Sequence, residues 1–310
     1  MTPLTYQVGA LRVHLISDGI FLSDGGAAFG VVPRPLWEKV IRPDPLNRIT
    51  MELRSCLIEG EDGLILVDTG HGAKLSGKRR EQIGLAAPLR LLDELAGLGY
   101  RPEDVRTVIN THLHADHCGG NTIRLADGRL TPAFPNATYI VQRLELADAT
   151  YPNERTRNTY FHENFLPLTD LCAGDAGALR VVSGDTQITP QVRVQVTPGH
   201  TRSHQMVVIE SQGQTAGFLG DAAGLAVHLE RLAWVPAFDV EPLVSMETKR
   251  SLREWAWRNE VLLLFQHDVG IPAGRLRQEA GAGPADGPLW RVAPVAPVES
   301  ENAQTEMKVT

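Results

Sequence analysis

Residues 112–117, "HLHADH", bring His112, His114, Asp116 and His117 into six consecutive positions of a chain that holds only 10 histidines in 310 residues. In a helix these side chains would fan out over more than half of the surface, whereas in a tight loop after a strand they converge on one point. Imidazole and carboxylate are ligands for zinc, iron, manganese or cobalt. A catalytic zinc commonly takes three protein ligands and keeps a place for water, so four ligands this close in sequence point to two metals. Gly119 and Gly120 follow after Cys118 and let the backbone turn sharply behind the loop.

Three further candidates end apolar, strand-like runs. His200 closes "VTPGH", Asp221 closes "FLGD" and His267 closes "LLFQH". Ligands at strand ends can gather in one groove between two sheets.

The elements that must position them are short β-branched runs closed by Gly, Asp or Pro. Strands are expected at 11–19, 55–60, 63–70, 105–110, 137–142, 179–184, 192–200, 205–211, 215–222 and 261–268, the last of the series. Helices are expected at 87–99 and 242–260, and directly after residue 142. Strands then a helix, twice over, suggest an α/β fold of two packed sheets with helices outside. The domain is expected to span 1–277. From 278 to 310 the composition drifts to Ala, Gly, Pro and Glu, which predicts a flexible tail.

Composition narrows the function classes. A net charge of −7 offers no basic stripe for nucleic acid or an anionic membrane. Cys56, Cys118 and Cys172 are too few and too far apart for a disulfide framework or a CxxC metal motif. The first residues lack the pattern of a signal peptide, and no apolar run is long enough to span a bilayer, so a cytoplasmic protein is expected.

"HLHADH", together with the spacing of His200, Asp221 and His267, resembles the metallo-β-lactamase superfamily over residues 50 to 270. The resemblance implies an αββα sandwich of two mixed sheets with a dinuclear site in the groove. It would place His112, His114 and His200 on a first metal, and Asp116, His117 and His267 on a second, with Asp221 bridging. Asp68 in "LVDTG" matches the family's buried aspartate, which orients ligands. His204 takes a supporting or structural role. Two divalent ions are implied, zinc first, with iron, manganese or cobalt as alternatives. Hydrolysis would follow from water activated between the cations, with Asp116 passing its proton to the leaving group. Cysteine replaces Asp221 in the best-known zinc β-lactamases, so antibiotic hydrolysis is not expected, and His114 and His117 argue against the superfamily's iron-dependent oxygen reductases.

The stretch 22–58 is similar to the leader of a branch containing acyl-homoserine lactonases and methyl-parathion-type organophosphate hydrolases. That leader is expected to fold over the groove, where Phe29, Val31, Val32 and Trp37 would wall an apolar pocket or else pack in the core or a dimer interface. Many lactonases carry a tyrosine three residues past the bridging aspartate to bind the substrate carbonyl. Here that position is Gly224, leaving His228 as a substitute donor or a structural hydrogen bonder. The resemblance implies a small lactone or ester substrate, no nucleic-acid or membrane partner, and a homodimer. Phosphotriesters and glyoxalase II-type thioesters are the rival substrate classes, and a non-enzymatic metal-dependent binding protein is the third reading.

Overall fold

Runs such as "GLILV" and "QMVVIES" are apolar on both faces, which suits strands covered on both sides. The computed structural model describes residues 3–85, 89–171, 177–279 and 289–298. The first half of the chain forms β1 (Leu4–Val8), β2 (Leu11–Asp24), β3 (Arg48–Gly60), β4 (Gly63–Val67), β5 (Val105–Ile109), a hairpin of β6 (Thr122–Arg124) with β7 (Leu130–Pro132), β8 (Thr138–Gln142) and β9 (Leu179–Val182). The second forms β10 (Thr186–Thr189), β11 (Val192–Val196), β12 (Gln205–Ser211), β13 (Gln214–Phe218), β14 (Leu262–Leu264), β15 (Ala273–Glu279) and β16 (Leu289–Pro294). One seven-stranded sheet runs β1-β2-β3-β4-β5-β8-β9, the other β10 through β16 in order. Both are mixed, with parallel pairing from β4 through β9 and again between β13 and β14.

The nine helices among the described residues are α1 (Gly25–Phe29), α2 (Arg34–Trp37), α3 (Gly77–Gln82), α4 (Leu91–Gly97), α5 (Ala115–Cys118), α6 (Arg143–Thr150), α7 (Leu166–Thr169), α8 (Ala226–Glu230) and α9 (Pro242–Arg258). Between the sheets lies a core of Val13, Ile58, Val67 and Ile109 against Val194, Val207, Phe218 and Leu264. Strand alternation then fills the outer faces. Met206, Val208 and Leu263 pack under Leu252 and Ala256 of α9, while Leu57, Leu66 and Val108 pack under Leu91 and Leu95 of α4. The result is the αββα sandwich expected from the sequence.

One expectation changes. The last strand is not at 261–268. β15 and β16 continue the second sheet, so part of the stretch read as a flexible tail is ordered. Within it Val292 is buried, and the Val298 N–H donates to Thr5 O at 2.8 Å, tying this segment to β1. A single buried side chain in β16 is too little to outweigh the Ala, Gly and Pro around it in a composition reading. Residues 280–288 and 299–310 of that stretch lie outside the described residues. The stretch 22–58, expected to fold over the groove, does contribute to it through Leu22, Ser23, Asp24, Ala27 and Met51. Its second part is β3, hydrogen-bonded between β2 and β4, and only α1, α2 and their connections lie outside the sheet.

Candidate metal centre

β5 ends at Ile109, and the next residues are fixed by side chains reaching across the turn. Asn110 and Asn121 exchange amide hydrogen bonds at 3.2 and 2.8 Å, pinning both ends of the histidine-rich segment. His114 starts the single turn of α5, which carries Asp116 and His117. This turn lies backbone to backbone on the loop after β4. Thr69 N–H donates to His117 O at 2.7 Å and Gly120 N–H to Gly70 O at 3.3 Å. A Cβ on Gly119 would sit 2.1 Å from His71 O, so the contact has no room for any side chain.

The other sheet supplies the rest. His200 follows β11, Asp221 follows β13 and His267 follows β14, each just past the C-terminal end of its strand. The structure brings all seven candidate ligands together. His112, His114 and His200 form one group whose ligand atoms all lie within 4.8 Å of one another. Asp116, His117 and His267 form a second, and Asp221 joins His112 and His117 in a third. The Asp221 carboxylate lies 3.1 Å from His200 Nε2, 3.0 Å from His267 Nε2 and 3.5 Å from His117 Nε2. Asp116 Oδ2 is 3.6 Å from His117 Nε2 and 3.9 Å from His267 Nε2.

Whether these residues fit metal ions is decided by their spare atoms. His112 Nε2, His114 Nε2 and His117 Nε2 are all buried without a hydrogen-bond partner. Orphaned buried polar atoms cost about 1–3 kcal/mol each, so three lone pairs left free side by side fit an occupant that takes them up. Nitrogen and oxygen donors in this mixture suit divalent cations.

Beneath the ligands sits a ring of partners that fix their orientation. Asp68 accepts from Thr111 N–H and Thr111 Oγ1, both at 2.8 Å, and lies 2.9 Å from His117 Nδ1. Asp239 Oδ1 lies 2.9 Å from His200 Nδ1. His267 Nδ1 is 2.7 Å from the Glu52 carbonyl, and the Asp221 N–H donates to His204 Nε2 at 3.0 Å. Such partners set the tautomer and ring direction of a ligating histidine. Burial and crowding by neighbouring rings hold His112 far below the usual imidazole range and push His114 down to about 3, so both stay neutral. Burial works against charge on His117 too, but Asp221, Asp116 and Asp68 together raise it well above its usual value. Asp221 is also desolvated, yet His117, His267 and His200 outweigh that and keep it ionised.

Above the ligands opens a cavity of about 530 Å³. Its floor includes His114, Asp116, His200, Asp221 and His267, and its walls include Phe21, Leu22, Met51, Ile83, Phe238 and Val240. None of the four residues expected to wall it does so. Phe29 and Trp37 stack at 5.0 Å in a core cluster under the cavity with Ile49 and Trp234, because burying both rings against each other removes more apolar surface than lining an open groove. Val32 packs on the edge of that cluster, and Val31 is 93% exposed.

His228 is not a substrate donor either. It is buried on α8, with Nε2 3.1 Å from Ala28 O and its ring edge-on to Phe29, away from the cavity lining. Burial lowers its pKa to about 3. Below its unfolded value near 6.5 the unfolded chain takes up a proton that the folded chain refuses, so stability is lost as pH falls. Between pH 7 and 5 this one ring costs roughly 2 kcal/mol. Urea unfolding of wild type and His228→Leu at pH 7, 6 and 5 should show the variant less stable at neutral pH and the gap closing by about that amount; a constant gap would refute the assignment.

The sequence reading missed Asp239, Thr111 as a side-chain partner, and His71, which lines the cavity and which burial holds down to about 4. Thr111 was adjacent to the motif and polar, a signal that was present. Asp239 sits in a loop between prolines with no periodicity to mark it.

Comparison with known proteins gives these likenesses. The family profile of the metallo-beta-lactamase superfamily matches residues 54–269. An N-acyl homoserine lactonase of Bacillus cereus is 30% identical over 238 residues, covering 73% of this chain and 84% of its own. A variant of AiiA from Bacillus thuringiensis, with N-decanoyl-L-homoserine bound at its active site, superposes with a TM-score of 0.63 at 25% identity, covering 87% of this chain and 95% of that one. AidC, a dizinc quorum-quenching lactonase in complex with a product, gives a TM-score of 0.75 at 17% identity, covering 96% and 99%, a likeness of fold alone.

Proposed function

The chain belongs to the metallo-β-lactamase superfamily, and from that premise we propose that it is a metal-dependent lactonase acting on small lactones of the N-acyl homoserine type. The observation that carries the proposal is the convergence of seven nitrogen and oxygen ligands, three of their ring nitrogens buried without partners and five of the residues flooring an apolar cavity. His112, His114 and His200 would hold one divalent ion, and Asp116, His117 and His267 a second, with Asp221 between them. Zinc is the first choice. When bound, such ions supply Lewis acidity that polarises a carbonyl oxygen and brings the pKa of a water to about 7.

The chain's own residues do the rest. Hydrolysis joins the oxygen of one water to the lactone carbonyl carbon and breaks the ring C–O bond. Asp116, a quarter exposed at the cavity floor, takes the proton from that water and returns it to the departing ring oxygen. Asp68 and Asp239 hold the rings of His117 and His200 in one tautomer, and His204 fixes the backbone of Asp221. Phe21, Leu22 and Met51 exclude bulk water from the acyl side. Both sheets contribute ligands and share one core, so the described residues act as a single domain. No helix among the described residues is long and apolar enough to cross a membrane.

The test is ring opening of a lactone panel, followed by base uptake, with metal content measured on the same sample. About two equivalents of metal and lactone turnover abolished by chelator and restored by zinc are expected. A metal-loaded protein that opens no lactone but cleaves phosphotriesters or glutathione thioesters would keep the site and overturn the substrate.

A further inference from the structure

The mouth of the cavity carries cations for which the hydrolytic site has no use. Helix α3 and the segment after α6 face each other there. Arg79 Nη2 donates to Asn158 O at 3.1 Å, and its guanidinium carbon lies 5.3 Å from the centre of the Phe161 ring. Arg155 Nη2 donates to Ala237 O at 2.6 Å and to Asp239 O at 3.3 Å. Both arginines line the cavity. Their segments, "GKRREQ" (77–82) and "NERTRN" (153–158), hold Lys78, Arg79, Arg80, Arg155 and Arg157 against Glu81 and Glu154, in a chain whose net charge is −7.

Among the described residues none of those five cations is in an ion pair, whereas Arg34, Arg48, Arg124 and Arg202 each face a carboxylate. Asp24, also at the cavity, is already engaged, accepting from Ala27 N–H at 2.8 Å and from the Asn47 amide at 3.3 Å. A guanidinium has five donor hydrogens in a planar fork, and the carbonyls noted take only one or two from each. The rim therefore keeps unspent positive charge and donors directly above apolar walls.

Resting on the lactonase reading, we propose that the cavity selects lactones whose acyl arm ends in a carboxylate. The hydrocarbon part of the arm lies on Phe21, Leu22, Met51 and Phe238, the ring sits at the metal ligands, and the terminal carboxylate meets Arg79 and Arg155. A partly exposed pair of this kind favours the anionic arm modestly and is screened by salt.

The experiment compares N-adipoyl with N-hexanoyl homoserine lactone, arms of equal length that differ in the terminal carboxylate, on the metal-loaded protein. The expected kcat/KM ratio is about fivefold in favour of the adipoyl substrate at about 20 mM salt, falling toward one at about 500 mM. Arg79→Gln and, separately, Arg155→Gln each bring the low-salt ratio toward one, and Arg79→Lys restores part of it; the ratio is read within each protein, so a general loss of activity does not disturb it. A wild-type ratio of one or less, or a ratio indifferent to salt and to both glutamine variants, overturns the proposal. If neither lactone is opened, the lactonase reading fails by itself, and calorimetric titration of N-adipoyl against N-hexanoyl homoserine still reads the rim: tighter adipoyl binding supports it and equal binding overturns it. Sedimentation with phosphatidylserine vesicles, together with a substrate ratio of one, would instead assign the cations to a membrane surface.

Discussion

Asp221→Ala abolishes turnover: kcat/KM falls by at least about 10³-fold, and the protein no longer retains its metal. Among the described residues this carboxylate is the only group paired with ring nitrogens of His117, His200 and His267 together, at 3.5, 3.1 and 3.0 Å. Those histidines come from both sheets, so no neighbour can replace it. Removing it also leaves three buried imidazoles facing one another without the anion that balances them. By contrast, Asp68→Asn keeps every ligand and loosens the hold on His117 and on Thr111 beside it, for which a loss of 10- to 100-fold is in proportion. Metal analysis and steady-state kinetics on both variants, with circular dichroism to confirm folding, separate the two effects. An Asp221→Ala protein that keeps its metal and a tenth of its activity would remove the residue from the centre of the site.

Gly119→Ala is the second large effect, and it acts through packing. The added Cβ would lie 2.1 Å from His71 O and 2.4 Å from His71 C, both backbone atoms of the loop after β4. The complementary approach is equally tight, since a Cβ on Gly72 would meet Gly119 O at 2.4 Å. Neither segment can retreat cheaply. Thr69 N–H is committed to His117 O, Gly120 N–H to Gly70 O, and the Gly72 N–H to Asp18 Oδ2 at 3.3 Å. Overpacking against fixed backbone costs on the order of 3 kcal/mol, and the distortion falls on the turn that carries Asp116 and His117. A urea midpoint shifted down accordingly, with activity lost in the folded fraction, is the expected result. Near-wild-type stability and turnover would mean that the two segments are free to part.

How much of this was legible in the sequence follows from which physical signal each feature leaves. The ligand set was readable because histidine is scarce here, and all seven ligands stand in the motif or at the end of an apolar run. The sandwich was readable because the runs of β4 and of the first five residues of β12 are too apolar to face water on either side. Cavity walls were not readable. Phe29 and Trp37 carry the same hydrophobic signal whether they face a substrate or each other, and only the fold decides that they stack 5.0 Å apart in the core. Asp239 was invisible for a different reason. Its role exists only through His200, far away in sequence, and carboxylates in loops are common. β16 was hidden because a strand of six residues with one fully buried side chain, Val292, leaves almost no periodicity to find.

The division of the ligands between the two sheets also bears on how the protein is made. Four ligands lie together at 112–117, but His200, Asp221 and His267 belong to the second sheet and leave the ribosome much later. A growing chain exposes a histidine-rich segment that can already catch a cation loosely, while the tight site waits for strands β11, β13 and β14 to pair and dock. Completion of the ligand set is therefore among the last events of biosynthesis, and a chain stalled before His267 would lack part of it.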